Sequence, residues 1–337
     1  MKIGKRLYLI FIVTASVLSY WMFNTYISND FFSDTPDQIR ASDIYQQLNR
    51  IVYHLNKPST HFQHNNQILF LACIQNDQSF GFNRTFIDYL DLIRDQAIPS
   101  MPSNLGLLVS DKKLYHAIDS YLFKHASTLN FYTITLLLDT TPSHTNRLNR
   151  HDDGIQRRRR KHIASLRNQL LYAAMGNEIG AVWIDADIMK IPQGLTKRMV
   201  ESNKDIITPS CIMTNYAGDY DLNAWRGDRT HPSSSEIESI KNGGSYTPYH
   251  LAGTKFVSDM KDEGKFAKLD SVGGTMLYVK MEVFRKGVNF PPFYLIGADW
   301  DRVEGWDGVE TEGLCYVART LGYQCWGMPH EEIVHSE

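Results

Sequence analysis

Two aspartates one residue apart, Asp185 and Asp187, close a short apolar run, Val182-Trp183-Ile184. Such a run reads as a buried strand. Side chains that alternate along a strand share a face, so both carboxylates can reach one point beyond its C-terminal end. Hard oxygen ligands gathered there suit a divalent cation that holds a diphosphate. That is the chemistry of a metal-dependent sugar-nucleotide transferase. An Asp-x-Asp pair is weak by itself, because short acidic pairs also arise on solvated turns. Asp77, Asp111 and Asp139 fall at or just past the ends of other apolar runs. Any one of them would serve as a turn or helix cap; their recurrence points to a site.

The elements that must carry these residues alternate in type. Residues 68–73, 105–109 and 132–138 read as strands, and helices over 80–95, 114–122 and 155–175 fall between them. In the last helix Ile163, Leu166, Leu170 and Ala174 share one face. The pattern predicts an α/β fold, a mostly parallel sheet with helices on both faces. Ligands of such sheets bind beyond the C-terminal strand ends. Residues 226–268 have little periodicity and read as a long excursion, either a substrate lid or poorly ordered. Gly273-Gly274 then leads into a strand, a loop at 305–313 carries Asp307, Glu310 and Glu312, and a helix at 312–321 precedes a last strand at 324–328.

Length and composition, 337 residues with 43% hydrophobic, suit one large or two small globular units. A formal charge of -2 gives no global sign of nucleic-acid binding, and the basic block from Arg157 to Lys161 reads as a solvated helix face. Cys73, Cys211, Cys315 and Cys325 lack Cys-x-x-Cys spacing, which argues against zinc and thioredoxin-like chemistry. Cys315 and Cys325 can pair in an oxidising compartment.

Residues 7–23 form a nearly unbroken apolar run after Lys2, Lys5 and Arg6. Tyr20, Trp21 and Phe23 stand where signal cleavage needs small residues and suit a membrane-interface belt instead. The chain therefore reads as a single-pass type II membrane protein. Residues 1–6 are a cytoplasmic tail, 7–23 the signal-anchor helix, 24–66 a lumenal stem and 67–337 the catalytic domain. The short span suits an early secretory or Golgi bilayer. Within the stem, Ile44, Leu48, Ile51 and Leu55 have helical spacing, and Asn83-Arg84-Thr85 is a candidate glycosylation acceptor.

Six collinear pieces carry a resemblance. They are Arg167-Asn168, Trp183 to Asp187, Tyr220 to Trp225, Asp270 to Gly274, Glu310 to Gly313, and Gly327 to His330 followed by His335. Together they make residues 68–335 resemble the fungal mannan-polymerase mannosyltransferases, glycosyltransferase family 62. The resemblance implies a GT-A fold, GDP-mannose as donor, Mn²⁺ as cofactor, Golgi residence and retention of the anomeric configuration. It also implies a glycan or glycoprotein acceptor and partner mannosyltransferase subunits. Three features depart from the family pattern: the turn at Ile74 to Asp77, Val334 where an aromatic is expected, and residues 226–268. They bear on acceptor choice more than on donor chemistry.

Carried onto this chain, the resemblance makes Asp187 the direct metal ligand. Asp185 touches the ribose or holds the metal through water, and His335 closes the metal site. A frayed terminus is the alternative for His335. Asp77, Ser110 and Asp111 line the nucleotide pocket, and Arg167 contacts the diphosphate or anchors its helix to the metal loop. Gly273 and Gly274 let the backbone approach the sugar. Retention proceeds through a carboxylate nucleophile or by front-face attack, and Glu310, Glu312, Asp221 and Asp270 are the carboxylates to test. A helix N-terminus would equally favour Glu310 and Glu312, and Asp270 would equally cap a turn. Two other functions compete: a GT-A transferase with a UDP-sugar donor, and a weakly active scaffold subunit of a mannosyltransferase complex.

Overall fold

The computed structural model describes residues 39–42, 50–55, 66–125, 128–141, 153–213, 215–244, 246, 254–299 and 304–336. The tail and signal-anchor readings lie outside the described residues. Among those described, no helix is long and apolar enough to cross a membrane.

In the first half, strands β1 (Ile39–Ser42), β2 (Arg50–His54), β3 (Ile68–Ile74), β4 (Ser103–Val109), β5 (Phe131–Leu138) and β6 (Gly180–Ile184) precede or alternate with three helices. These are α1 (Phe86–Asp95), α2 (Lys112–His125) and α3 (Asp153–Ala174). β5, β4, β3 and β6 are neighbours in parallel register. Their apolar runs are nearly continuous because helices cover both faces. The period of two sorts β3 between the two layers. Ile68, Phe70, Ala72 and Ile74 pack in one core with Tyr89, Leu90 and Ile93 of α1 and Ile118 and Leu122 of α2. Leu69 and Leu71 pack in the other with Leu166, Leu170 and Leu171 of α3. Each fully buried side chain of this size stabilises the fold by about 1.5–3 kcal/mol before chain entropy is counted.

The C-terminal end of the stem reading is corrected. Arg50–His54 is a strand, not part of a helix, and lies antiparallel on β5 with Val52 and Tyr53 buried. Residues 43–49, with Ile44 and Leu48, lie outside the described residues. The sheet therefore begins before Gln67.

The second half adds strands β7 (Ile188–Lys190), β8 (Ile206–Met213), β9 (Tyr216–Asp219), β10 (Trp225–Arg226), β11 (Lys255–Phe256), β12 (Ala267–Leu269), β13 (Met276–Lys280) and β14 (Cys325–His335). Its helices are α4 (Leu195–Glu201), α5 (Ser234–Lys241), α6 (Met281–Arg285) and α7 (Glu310–Thr320). The sheet order is β1-β2-β5-β4-β3-β6-β13-β8-β14-β12, with β7 on β14 and β9 on β8. β13 runs antiparallel between β6 and β8, and β14 is parallel to β8. Because β13 runs backwards, its start meets the end of β6: Met276 pairs with Ile184. His335, the last residue of β14, pairs with Met213 and Ile188. One edge of the sheet thus gathers the aspartate motif, the glycine pair and the C-terminal histidine.

Three further expectations change. Residues 226–268 hold the β10–β11 pair, α5 and β12, so the described part of this segment is folded onto the domain. The basic block divides: Arg157 is buried, with its guanidinium 3.7 Å from the Tyr294 ring centroid, and Arg160 pairs with Glu312, while Arg158 and Arg159 are exposed. α7 starts at Glu310 rather than Glu312. Cys315 and Cys325 form a disulfide that ties α7 to the start of β14.

Candidate active site

β6 stops at Ile184, whose carbonyl accepts from the buried Tyr89 hydroxyl at 2.7 Å. Asp185 N then donates to Thr275 O at 2.9 Å, and Ile188 N returns to Asp185 O at 3.2 Å, closing a turn. The two aspartates therefore sit in a turn, and their carboxylates take different partners. Asp185 Oδ1 lies 3.1 Å from Arg167 Nη2, whereas Asp187 Oδ2 lies 3.1 Å from His335 Nε2. Backbone contacts hold the loop: Ser336 N donates to Asp187 O at 2.9 Å and Arg84 Nη1 to Ile188 O at 2.7 Å. His335 is not frayed. It is 8% exposed, and its Nδ1 faces the Ser336 carbonyl, which leaves Nε2 toward Asp187.

Arg167 is the junction of the site. Its Nε donates to Glu310 Oε1 at 3.1 Å, and its Nη2 reaches both Asp185 and the Gly274 carbonyl, the latter at 3.3 Å. A Cβ on Gly274 would stand 2.5 Å from Arg167 Nη2, and one on Gly273 would stand 2.0 Å from Asp221 Oδ2. The glycine pair thus admits two protein side chains, Asp221 and Arg167. Asp221 Oδ2 accepts from Thr275 Oγ1 at 3.0 Å and from Thr275 N at 3.3 Å. Glu310, 8% exposed, has φ 56, a left-handed conformation that a non-glycine residue adopts at a cost.

The electrostatics follow from this crowding. Burial raises the Asp185 carboxyl to about 7; Arg167 opposes the rise, and Asp187, Glu310 and Asp221 add to it. Its side chain still keeps 37% of its surface open. For His335 burial pulls downward, but the hydrogen bond and charge of Asp187 outweigh it and raise the imidazole above its ordinary value.

Other predicted residues go elsewhere. Glu312 pairs with Arg160 at 2.8 Å and with Arg229 at 3.6 Å. Asp270 accepts from Arg319 at 2.7 Å and from Gly227 N at 3.0 Å, a strut rather than a member of the Arg167 group. Asp111 caps α2 through Leu114 N at 2.7 Å. Asp77 is exposed in a short turn at Asp77–Phe80. Ser110 Oγ donates to the buried Asp139 at 3.2 Å, and His162 Nε2 lies 3.4 Å from the same oxygen. Sequence reasoning gave no site role to Tyr220, Arg84 or His162. Tyr220 stacks on His335 with ring centroids 3.8 Å apart; its position beside Asp221 was the available signal.

Among the described residues no three His, Cys, Asp or Glu side chains gather to hold a metal ion. The Asp187–His335 pair nevertheless fits two adjacent ligands. Donors about 2.1 Å from one ion and at right angles to each other stand about 3 Å apart.

Comparison with known proteins agrees with the sequence motifs. The Anp1 family model matches residues 51–294. The mannan polymerase complex subunit mnn9 of Schizosaccharomyces pombe is 25% identical over 97% of this chain and 96% of its own length. The MNN9 subunit of Candida albicans is 30% identical over 63% of this chain and 59% of its own. Among solved structures, S. aureus TarS has a TM-score of 0.44 at 11% identity over 80% of this chain and 37% of that one, a likeness too slight to argue from. The chain belongs to the Anp1 family, that of the fungal mannan-polymerase subunits.

Proposed function

We propose that this chain is the mannosyltransferase subunit of a mannan-polymerase-type complex, a glycosyltransferase that moves mannose from GDP-mannose to a glycan or glycoprotein acceptor. The reading includes a GT-A fold, retention of configuration, Mn²⁺ dependence and a Golgi location behind the N-terminal anchor. The observation that carries it is the approach of His335 Nε2 to Asp187 Oδ2, 3.1 Å, at the strand edge where α/β sheets bind ligands. Two residues 148 positions apart meet there, and nothing in strand packing alone requires a histidine and an aspartate to do so.

Asp187 and His335 would hold the divalent ion beside the donor diphosphate. Bound there, the ion supplies Lewis-acid stabilisation of the leaving diphosphate. Arg167 holds the Asp185 carboxylate through Nη2, and that side chain, 37% exposed, would serve the ribose or the metal. The same guanidinium restrains Glu310, and Thr275 restrains Asp221. Preorganised groups of this kind need little rearrangement during reaction. Glu312 and Asp270 are committed to other partners, so Glu310 and Asp221 remain the carboxylates to test as nucleophile or as acceptor-positioning groups.

The test is transfer from a panel of donors to a mannose oligosaccharide by the full chain, with Mn²⁺ or with EDTA. GDP-mannose turnover that EDTA abolishes is the expected result. Turnover confined to a UDP-sugar would replace the donor, and none with any donor would leave the scaffold reading.

A further inference from the structure

The Tyr220 ring lies over the His335 imidazole, with centroids 3.8 Å apart and planes inclined by 27°. Its placement follows from its neighbour. Asp221 is drawn inward by Thr275, and Asn223 N donates to Asp221 Oδ1 at 3.2 Å, so the Asp221 side chain is pinned on the glycine side. Tyr220 N is fixed to Cys211 O at 2.6 Å, and Leu222 N turns back to Tyr220 O at 3.1 Å. The Tyr220 ring is delivered to the other side, over the histidine, and the residue remains 39% exposed.

His335 is the last residue of β14. Its Nδ1 faces the carbonyl of Ser336, whose N–H is bonded to Asp187 O, and its Nε2 faces Asp187, so these contacts set the direction of the ring nitrogens. The Tyr220 ring closes one face of the imidazole, and sliding or tilting the imidazole forfeits that contact. We infer that Tyr220 is a positioning residue: its ring holds the imidazole in this orientation so that Nε2 and the Asp187 carboxylate address the same ion. The inference rests on the proposed metal site, and it assigns the part to the ring rather than to the hydroxyl.

The experiment uses the full chain without donor and measures Mn²⁺ binding by calorimetry for the native protein, Tyr220→Phe, Tyr220→Leu and His335→Ala. NMR of the His335 ring protons in the metal-free protein runs alongside, since a stacked tyrosine shifts them upfield. Tyr220→Phe should bind within about twofold of native, and Tyr220→Leu about tenfold or more weakly, the usual effect of losing a group that orients a ligand. The upfield shift should survive in the Phe variant and vanish in the Leu variant. Native-like Mn²⁺ affinity in Tyr220→Leu overturns the inference, as does an equal loss in Tyr220→Phe. Should Tyr220→Leu unfold, Tyr220→Met, also without an aromatic ring, takes its place with the same expected loss. If native protein binds no Mn²⁺ while its ring shift is intact, the metal reading fails and the stack is structural only.

Discussion

At the strand edge, Asp185, Asp187, Asp221 and Glu310 gather around one guanidinium, Arg167, and the imidazole of His335. Over residues 304–312, the loop before α7 and its first turn, the acids are matched differently. Glu312 and Asp307 meet Arg160 and Arg229, and Glu304 meets Arg157 and Lys161. The second group is balanced by permanent cations and pins the 304–312 segment to α3. The first carries more carboxylate than its cations offset; burial raises the carboxyl of Asp185 there, as it raises that of Glu312 in the second, so the difference lies in the partners rather than in the direction of the shift. Buried charge persists where it is paired or where a ligand completes it. The balanced group reads as scaffold and the unbalanced one as a place for a cation.

Asp187→Ala breaks the comparison most severely. Loss of several kcal/mol of transition-state stabilisation should lower transfer about a thousandfold or more, while the melting temperature stays near native. Glu312→Ala should do the reverse. Arg160 and Arg229 would be left without their shared acid, costing about 3–5 kcal/mol by thermal or urea unfolding, with Mn²⁺ affinity of the folded fraction preserved. Cys315→Ser opens the clamp between α7 and β14. The short closed loop implies a loss of about 2–3 kcal/mol of stability, and the effect should match that of reduction in native protein.

The smallest expected effect is a drift with pH. The Asp185 carboxyl is raised in the fold, from 3.8 to about 7, so the folded chain binds that proton more tightly than the unfolded chain does. Its contribution to stability is complete below about 3.8 and is lost as pH rises through about 7. With chelator present, the melting temperature should fall across that window, and Asp185→Asn should flatten the fall. Mn²⁺ should restore stability at the upper end.

The parallel strands and the aspartate motif were legible because buried strands are continuous apolar runs, and His335 because of the family pattern. The reasoning from strand alternation did not foresee the local backbone: the strand ends at Ile184, so Asp185 and Asp187 lie in the turn that follows and take different partners. Glu310 and Glu312, both carboxylates to test, enter different networks. β2 was hidden by the four-three-four spacing of Ile44, Leu48, Ile51 and Leu55. Its strand character comes from β5, far along the chain. The β10–β11 pair was equally hidden, because its partners lie in distant segments and each is two residues long.

The central claim is that Asp187 and His335 form a divalent-metal site for a guanosine diphosphate donor. Calorimetric binding of GDP and UDP to the full chain, with and without Mn²⁺, in native protein, Asp187→Ala and His335→Ala tests it most directly. The account predicts binding of GDP that requires Mn²⁺ and is lost in both variants, with UDP weak. GDP binding that is indifferent to Mn²⁺ and survives in both variants would contradict it.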